Sequence, residues 1–500
     1  MNTDDDKSTP VADPANNCLA TNIFYLLIAI VVSNFCMFLR NLIVIRSYGA
    51  AAHGGFVLVV SIAAVTIAVS DLGLASKVGV RLIARQRAIE PERLGQVISG
   101  LVTVQLLFAV VLVLGMMAFA GPLASAFDDI SATAVRVAGA WVLLHAIIRI
   151  CIMIYVGFER MGAIALFMPA AEAAKLVWLL ICAATGKDVI WIFVGWIGAY
   201  GLAAILAVAY TRRIGRAFSF RVRIQPQAIR RSLHIIAEAV PYHVPFMAMF
   251  ALPFVTQFCL GVWQVPEQVS FFQVCYSLAF VSRLVSIATA TAIFPRLAHI
   301  DASAGADSNE ATAMLKQVTR CVGMIATFVF AFYCTTGSVL LQWMYGAEYV
   351  SALPVLLVLA VGVGLENYTQ QLHQVLMAMR KVRVISLLEL LRYILLAALA
   401  AWAIRIHGAQ GAAWTVCAAI IVNAVLVMCV SRRLVGDIAA GSFVRTLAVF
   451  AVVAVVAWLP YGRCFAVPAW LLAASSLGLF RLRQLRQWSA LLTSAFRSRS

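Results

Sequence analysis

Charge is what this sequence has least of. Only 12% of its 500 residues are charged, while 63% are apolar. A soluble domain has roughly a quarter charged and about half apolar, so a soluble protein of several domains is excluded. Disorder is excluded with it, since the mean hydropathy is +0.95. Cysteine patterning is missing as well. The eleven cysteines are odd in number, lack metal-ligand spacing and mostly sit inside apolar runs (Cys36, Cys151, Cys182, Cys259, Cys275, Cys417). They indicate neither a disulfide scaffold nor a metal centre and read as small packing residues. Gly362-Val363-Gly364 has no strand before it and is not a nucleotide loop. What is present in quantity is apolar sequence, and the class that remains is an all-α polytopic membrane protein.

Fourteen apolar runs approach or exceed the roughly 20 residues needed to cross a bilayer. They fall at about 22–45, 56–76, 96–120, 132–156, 162–184, 189–210, 233–260, 269–294, 316–344, 352–378, 384–404, 409–430, 443–460 and 464–480. The first follows Asp4, Asp5 and Asp6 rather than a basic segment, so it reads as a retained helix and not as a cleaved signal. The net charge of +17 would suggest nucleic acid in a soluble protein. Here its placement gives topology instead. With the N-terminus inside, 28 of the 38 Lys and Arg fall in cytoplasmic segments and four (Arg46, Lys187, Arg405, Arg463) in outer loops, as the positive-inside rule requires. The reading is an inner (plasma) membrane protein with both termini cytoplasmic. The outer loops are too short for an enzyme domain. The basic stretches 211–232 and 481–500, with apolar residues interleaved, read as inside anchors or as helices lying on the inner leaflet.

The chain repeats weakly at an offset of about 215–221 residues. Arg81-Leu82 corresponds to Arg296-Leu297, Phe56 to Phe271, Phe127-Asp128-Asp129 to Tyr345-Gly346-Ala347, the 159–164 stretch to 380–385, and Thr211-Arg212-Arg213 to Ser431-Arg432-Arg433. Six spans per repeat make the halves parallel, the arrangement in which transporters place a substrate site between lobes. The expected organisation is a cytoplasmic tail (1–21), an N-lobe of six helices (22–211), a basic linker (212–232), a C-lobe of six helices (233–431), two further helices (432–480) and a basic tail (481–500).

The stretch Arg40-Asn41-Leu42 through Ser47-Tyr48-Gly49, then Gly55-Phe56 and Asp71-Leu72-Gly73-Leu74, resembles the start of Wzx-type oligosaccharide flippases, the polysaccharide transporters of the multidrug/oligosaccharidyl-lipid/polysaccharide exporter superfamily. Phe294-Pro295-Arg296-Leu297, Tyr345-Gly346-Ala347-Glu348-Tyr349 and Pro354-Val355-Leu356 resemble the same family's second half, and the likeness covers about residues 20–435. The overall character is also similar to exopolysaccharide flippases such as that for xanthan. The resemblance implies a two-lobed bundle around a central cavity. It also implies a substrate, a glycan linked to polyprenyl pyrophosphate, moved from the inner to the outer leaflet by alternating access.

An ionisable residue inside a span is a functional candidate by default, and guanidinium suits a pyrophosphate because it bonds phosphate oxygens in pairs. Arg40 on the first span, with Asn34 on a neighbouring stripe, is one candidate; the competing reading is a side chain reaching to the interface. Trp141, His145 and Arg149 share one helical face and could meet sugar and phosphate together. Arg283 follows Tyr276 by two turns. Glu366, Gln370 and His373 lie on one side of the most polar run in any span, where amides suit sugar hydroxyls and Glu366 could carry a coupling proton or pair with Arg149. Glu238, on a helix that Pro241, Pro245 and Pro253 should kink or break, is a second ion-coupling candidate. The Glu172–Lys175 and Glu389–Arg392 pairs should neutralise themselves along their helices, and Asp71 should pair with Lys77 or Arg81. No metal, cofactor or nucleic-acid site is indicated; H+ or Na+ would be the coupling ion, and membrane lipids and other polysaccharide-assembly proteins the partners. Two rival functions remain, a cation-coupled multidrug exporter of the same superfamily and a membrane-embedded glycan polymerase or transferase. The first would want an acidic cavity and the second a catalytic constellation.

Overall fold

In a bilayer the backbone must satisfy its own hydrogen bonds, which leaves helices and closed barrels as spanning structures. This chain takes the first solution. A computed structural model describes residues 14–74, 78–127, 130–223, 228–284, 286, 308–379, 381–435, 440–459 and 461–479. The helices, in chain order, are α1 (Pro14–Ser70), α2 (Gly79–Ile89), α3 (Leu94–Ala118), α4 (Ala120–Ser125), α5 (Ala132–Gly157), α6 (Met161–Ala184) and α7 (Val189–Ala217). They continue as α8 (Ala228–Trp263), α9 (Pro266–Ala279), α10 (Ser308–Tyr345), α11 (Leu353–Ala378), α12 (Val382–Val435), α13 (Ala440–Trp458) and α14 (Ala466–Ser476). Among the described residues nine helices are long and apolar enough to cross a membrane. Large apolar side chains such as Leu166, Ile205, Val339 and Leu472 stand exposed, as surfaces meant for lipid do. The protein is a multi-pass membrane protein.

Two of these helices are double. α1 bends at Gly49 (φ 84°, ψ 174°) and α12 at Gly408 (φ 54°, ψ −132°). The sequence places a loop of about ten residues between its first two spans; a single glycine makes that connection, because only glycine enters this backbone region without cost. At Gly408 the broken helical ladder is repaired by side chains. Gln264 Nε2 donates to the carbonyls of Ile404 (2.8 Å) and Arg405 (3.1 Å), and Gln268 Oε1 accepts from the Ala409 amide (2.9 Å). The turn is tight: a Cβ on Gly411 would lie 2.0 Å from the Ala403 carbonyl oxygen. α8 runs as one helix through Pro241, Pro245 and Pro253, so the expected break is not made there. The run expected at 464–480 is α14, only 11 residues long.

The chain divides into two compact units. The first is built from the chain up to Ile43, Thr66–Ala120 and Ala132–Val240; the second from Val44–Val65, Gly121–Ser131 and the chain from Pro241 on. Sequence order assigned 22–211 wholly to one lobe, yet the Gly49 end of α1 belongs with the second unit. Buried polar groups supply the reason. His53, Ser270 and Tyr349 are all fully buried and form one chain, His53 Nδ1 to Ser270 Oγ at 2.7 Å and Ser270 Oγ to Tyr349 OH at 2.6 Å. Ser61 donates to Gln257 Oε1 at 2.6 Å, and Gln257 in turn bonds Gln273. Arg46 donates to the Met344 carbonyl at 2.8 Å and to that of Trp343, placing a cation on the unsatisfied carbonyls at the end of α10. Each donor buried without such a partner would cost about 1–3 kcal/mol.

Gly54 permits this approach, because a Cβ there would sit 1.9 Å from the Pro266 carbonyl oxygen. Gly54→Ala is therefore expected to lower the thermal midpoint of the purified protein more than Gly49→Ala. The Gly49 site has open space and would cost only the about 1–3 kcal/mol of a side chain held in a backbone region that belongs to glycine. Equal midpoints in a thermal-shift measurement would contradict the close packing.

In the first unit the aromatic residues of the 211–223 region pack inward while its arginines stay exposed. α7 continues to Ala217, Phe220 is buried, and Phe218 and Phe220 pack on Phe158 with ring centroids 4.7 and 5.5 Å away. Arg87 covers the Phe158 and Phe218 rings at 5.6 and 5.3 Å. Ser99 Oγ accepts the Arg223 amide at 3.0 Å and donates to the Arg221 carbonyl at 3.3 Å. The 481–500 tail lies outside the described residues, as does the second half of the 269–294 run. In the second unit α13 and α14 are fixed to the bundle by Tyr368 with Thr446 (2.5 Å) and by Trp470 Nε1 donating to Thr327 Oγ1 (2.9 Å).

Candidate functional site

Each unit holds a cluster of charges at depths that the spans place inside the membrane. In the first unit it forms on α1, α5, α6 and α7. Lys175 Nζ lies 2.6 Å from Glu172 Oε1, one turn back on α6, and Tyr200 OH donates to the same oxygen at 3.1 Å. The ammonium is 4.6 Å from the centroid of the Trp196 ring and 4.9 Å from that of Tyr200. Arg40 lies over Trp196 at 5.0 Å and donates to its neighbour Asn41 Oδ1 at 3.3 and 3.2 Å. A cation on an aromatic face recovers part of its lost hydration, which lets two cations sit near one carboxylate. Trp141 packs edge-on against Trp196 (4.9 Å), and His145 stacks on Tyr200 (5.6 Å). Asn34 does not join them; its amide donates to the Ile30 carbonyl of its own helix at 2.8 Å.

Arg149, two turns beyond Trp141 on α5, pairs with Asp71 at 3.3 Å. Asp71 was expected to pair with Lys77 or Arg81, and Glu366 was offered as a partner for Arg149. Asp71 follows the end of α1 and faces α5 within the same unit, whereas Lys77 lies outside the described residues; Glu366 is held by Arg283 and Arg392 and not by Arg149. The Arg149 side chain keeps 27% of its exposure while Asp71 keeps 4%. Among the described side chains of this cluster, with the exposed Arg136 of α5 outside it, Arg40, Arg149 and Lys175 stand against Glu172 and Asp71, one cation in excess.

The second unit is balanced. Glu366 on α11 is held by two guanidinium groups, Oε2 by Arg283 at 2.7 Å and Oε1 by Arg392 at 3.0 Å. Arg392 also reaches Glu389 Oε2 at 2.6 Å, one turn back on α12, and Asn423 Nδ2 donates to Glu389 Oε1 at 3.2 Å. Arg283 Nη2 donates to Gln370 Oε1 at 3.4 Å. His373 Nε2 lies 3.6 Å from Glu389 Oε1. Other amides of the polar run serve the backbone: Gln371 Nε2 donates to the carbonyl (3.0 Å) and hydroxyl (2.9 Å) of Ser286. Glu366, Gln370 and His373, grouped by their spacing, are thus joined by Arg283, which that spacing did not link to them, in a network where the arginine is neutralised. Arg392, Glu389 and Asn423 complete it and were not selected from the sequence. Their signal was visible as an i, i+3 charge pair, and it was set aside as self-neutralising. Both pairs do close along their helices, but each carboxylate also takes a partner from another helix. The side chain of Glu238 lies outside the described residues. Among the described residues no cluster of three or more His, Cys, Asp or Glu is placed to hold a metal.

Buried ion pairs inside spans and lipid-facing helices define a polytopic membrane protein, and solved structures share its fold. The chain is similar to the lipid II flippase MurJ in an inward closed conformation (TM-score 0.71, 11% identity, covering 93% of this chain and 99% of that one). It is also similar to an inward-facing multidrug resistance transporter of the MATE family and MOP superfamily (TM-score 0.64, 13% identity, 82% and 98% covered). A third likeness is to a MOP superfamily transporter from Pyrococcus furiosus (TM-score 0.59, 13% identity, 84% and 96% covered), described as having a binding pocket of reverse polarity. At these identities the likeness establishes the fold alone. The family profile of polysaccharide biosynthesis proteins matches residues 19–301, and the chain belongs to that family. Comparison with curated protein sequences gives no significant match.

Proposed function

We propose that this protein flips polyprenyl-pyrophosphate-linked oligosaccharides from the inner to the outer leaflet of the plasma membrane by alternating access, in the synthesis of a surface or exopolysaccharide. The observation that carries this reading is the excess buried cation of the first unit. Keeping Arg40, Arg149 and Lys175 in the membrane against Glu172 and Asp71, the carboxylates described in this cluster, is costly, and a doubly charged headgroup offsets that cost when it binds. Arg149 is the most accessible of the arginines paired inside the spans and the first contact for phosphate; His145 and the Trp141 and Trp196 rings beside it suit a sugar. Arg40 is the second phosphate contact. Arg283, Glu366, Gln370 and His373 belong to a balanced network and act on substrate only after its pairs rearrange. A drug exporter for cations is disfavoured by the same excess of positive charge.

Depleting the protein in its host should accumulate lipid-linked oligosaccharide that stays inaccessible to an external glycan-binding probe. Normal outward appearance of the units while polymer is lost would point to a polymerase instead. The orientation has its own measurement. A single cysteine at Ser219, in an otherwise cysteine-free background, should react with an impermeant thiol reagent only after the cells are opened. Labelling of intact cells would reverse the topology.

A further inference from the structure

The charge network of the second unit contains one carboxylate oxygen that differs from the other three. Both oxygens of Glu366 face guanidinium groups, at 2.7 and 3.0 Å, and Oε2 of Glu389 faces a third guanidinium contact at 2.6 Å. Oε1 of Glu389 faces no cation among these contacts. Its neighbours are the neutral amide of Asn423 at 3.2 Å and the imidazole Nε2 of His373 at 3.6 Å. Among the described residues His373 Nε2 and Asn423 Oδ1 have no hydrogen-bond partner, although both residues are buried. A buried polar atom without a partner is unusual and needs a reason. Here an imidazole nitrogen and a carboxylate oxygen converge at 3.6 Å without a hydrogen bond between them.

We propose that Glu389 and His373 form the binding site for a single exchangeable proton that couples to transport. This rests on the transporter reading above and moves the coupling role from Glu366, whose two oxygens are already held by arginines, to a neighbour on α12. The proton enters as H+, and its positive charge is added to the site. It bonds either Nε2, which then donates to Oε1 as imidazolium to carboxylate, or Oε1, which then donates to Nε2. In both forms the 3.6 Å gap closes to the roughly 2.7–2.9 Å of a charge-assisted hydrogen bond. Arg283 and Arg392 against Glu366 and Glu389 sum to zero with the site empty, so the loaded site carries one positive charge.

Among the described residues, α12 supplies Glu389, Arg392, Tyr393 and Asn423, and the segment after α9 supplies Arg283. α9 supplies Tyr276, and α11 itself supplies Glu366. α10 and α13 meet α11 at Tyr368, with the Cys321 thiol and the Thr446 hydroxyl. The nearby cations are each bound to a carboxylate, and Glu389 is the one anion within reach of the imidazole. The loaded pair pulls α11 and α12 together at that depth; the empty pair releases them. A movement of this kind can be biased by a proton gradient.

The test uses the full-length protein in two measurements. In lipid nanodiscs, infrared difference spectra between high and low pH should show a protonated-carboxyl stretch together with an imidazole change. Glu389→Gln should remove the carboxyl signal. His373→Gln should shift its midpoint by more than about one pH unit. Wild-type protein with 15N-labelled histidine supplies a readout that needs no variant to fold, namely one histidine titrating with the same midpoint. Signals that survive in both variants, or no titrating carboxyl or histidine in the wild type, overturn the proposal. In proteoliposomes, a sugar-labelled polyprenyl-pyrophosphate oligosaccharide should redistribute up to about 100-fold under a gradient of about two pH units. Glu389→Gln should only equilibrate it. Redistribution that ignores the gradient overturns the proton site while leaving flipping intact. Absence of flipping with the titration present overturns the transport reading and leaves the proton site standing.

Discussion

Removing the Glu366 carboxylate should destabilise the folded protein by about 3–5 kcal/mol, the cost of stranding a buried charge. Two guanidinium groups lean on it, and the side chains of Arg283, Glu366 and Arg392 are 5%, 3% and 1% exposed. Glu366→Ala leaves Arg283 with only a long contact to Gln370 and leaves two cations facing Glu389 alone. The measurement is the fraction of monodisperse protein recovered from membranes and its thermal midpoint in detergent. A compensating variant separates charge from packing: Glu366→Gln with Arg283→Gln restores the balance and should recover most of the loss. If Glu366→Ala alone behaves as wild type, the network is not held as described.

The second large effect is expected on transport. Arg149→Ala should lower movement of the lipid-linked oligosaccharide by about 10–100-fold, the loss of one or two charge-assisted hydrogen bonds to phosphate. It also strands Asp71, which is 4% exposed, so part of any defect could be structural. Arg149→Ala combined with Asp71→Asn removes both charges and should restore the thermal midpoint without restoring transport. Normal flipping by that stable double variant would exclude Arg149 from the substrate path. Recovery of flipping by Arg149→Lys would show that a point charge is enough and that paired bonding is not used.

Much of the fold was legible because bilayer thickness fixes helix length and sets apolar runs apart from polar connections. The run boundaries on α3, α5, α6, α7 and α11 needed only composition. The bends were not legible to the same degree: an apolar sequence continues through Gly49, and whether the chain turns there depends on what receives it. For Gly408 the receivers are Gln264 and Gln268, about 140 residues away in sequence. Charged residues in spans were equally easy to find, since each is an exception to its surroundings. Their partners were not. Periodicity relates residues on one helix, so Glu172 with Lys175 and Glu389 with Arg392 could be read directly. Arg149 with Asp71, Arg283 with Glu366 and Glu389 with Asn423 join different helices, and no pattern within a helix specifies them. The aromatic setting of Lys175 has the same origin: Trp196 and Tyr200 lie one turn apart on α7, but only tertiary packing puts them against α6.

The bond between His53 and Ser270 spans 217 positions, and that separation has a consequence for biogenesis. At about 5–20 residues per second, a ribosome needs on the order of ten to forty seconds to deliver Ser270 after His53, and longer to deliver Tyr349. Throughout that interval the early hairpin enters the membrane with its His53 imidazole ahead of a later-made partner. The nascent chain therefore depends on a sheltering insertase or on water at the interface until synthesis is well past its midpoint, and truncated products should be targets for membrane proteases.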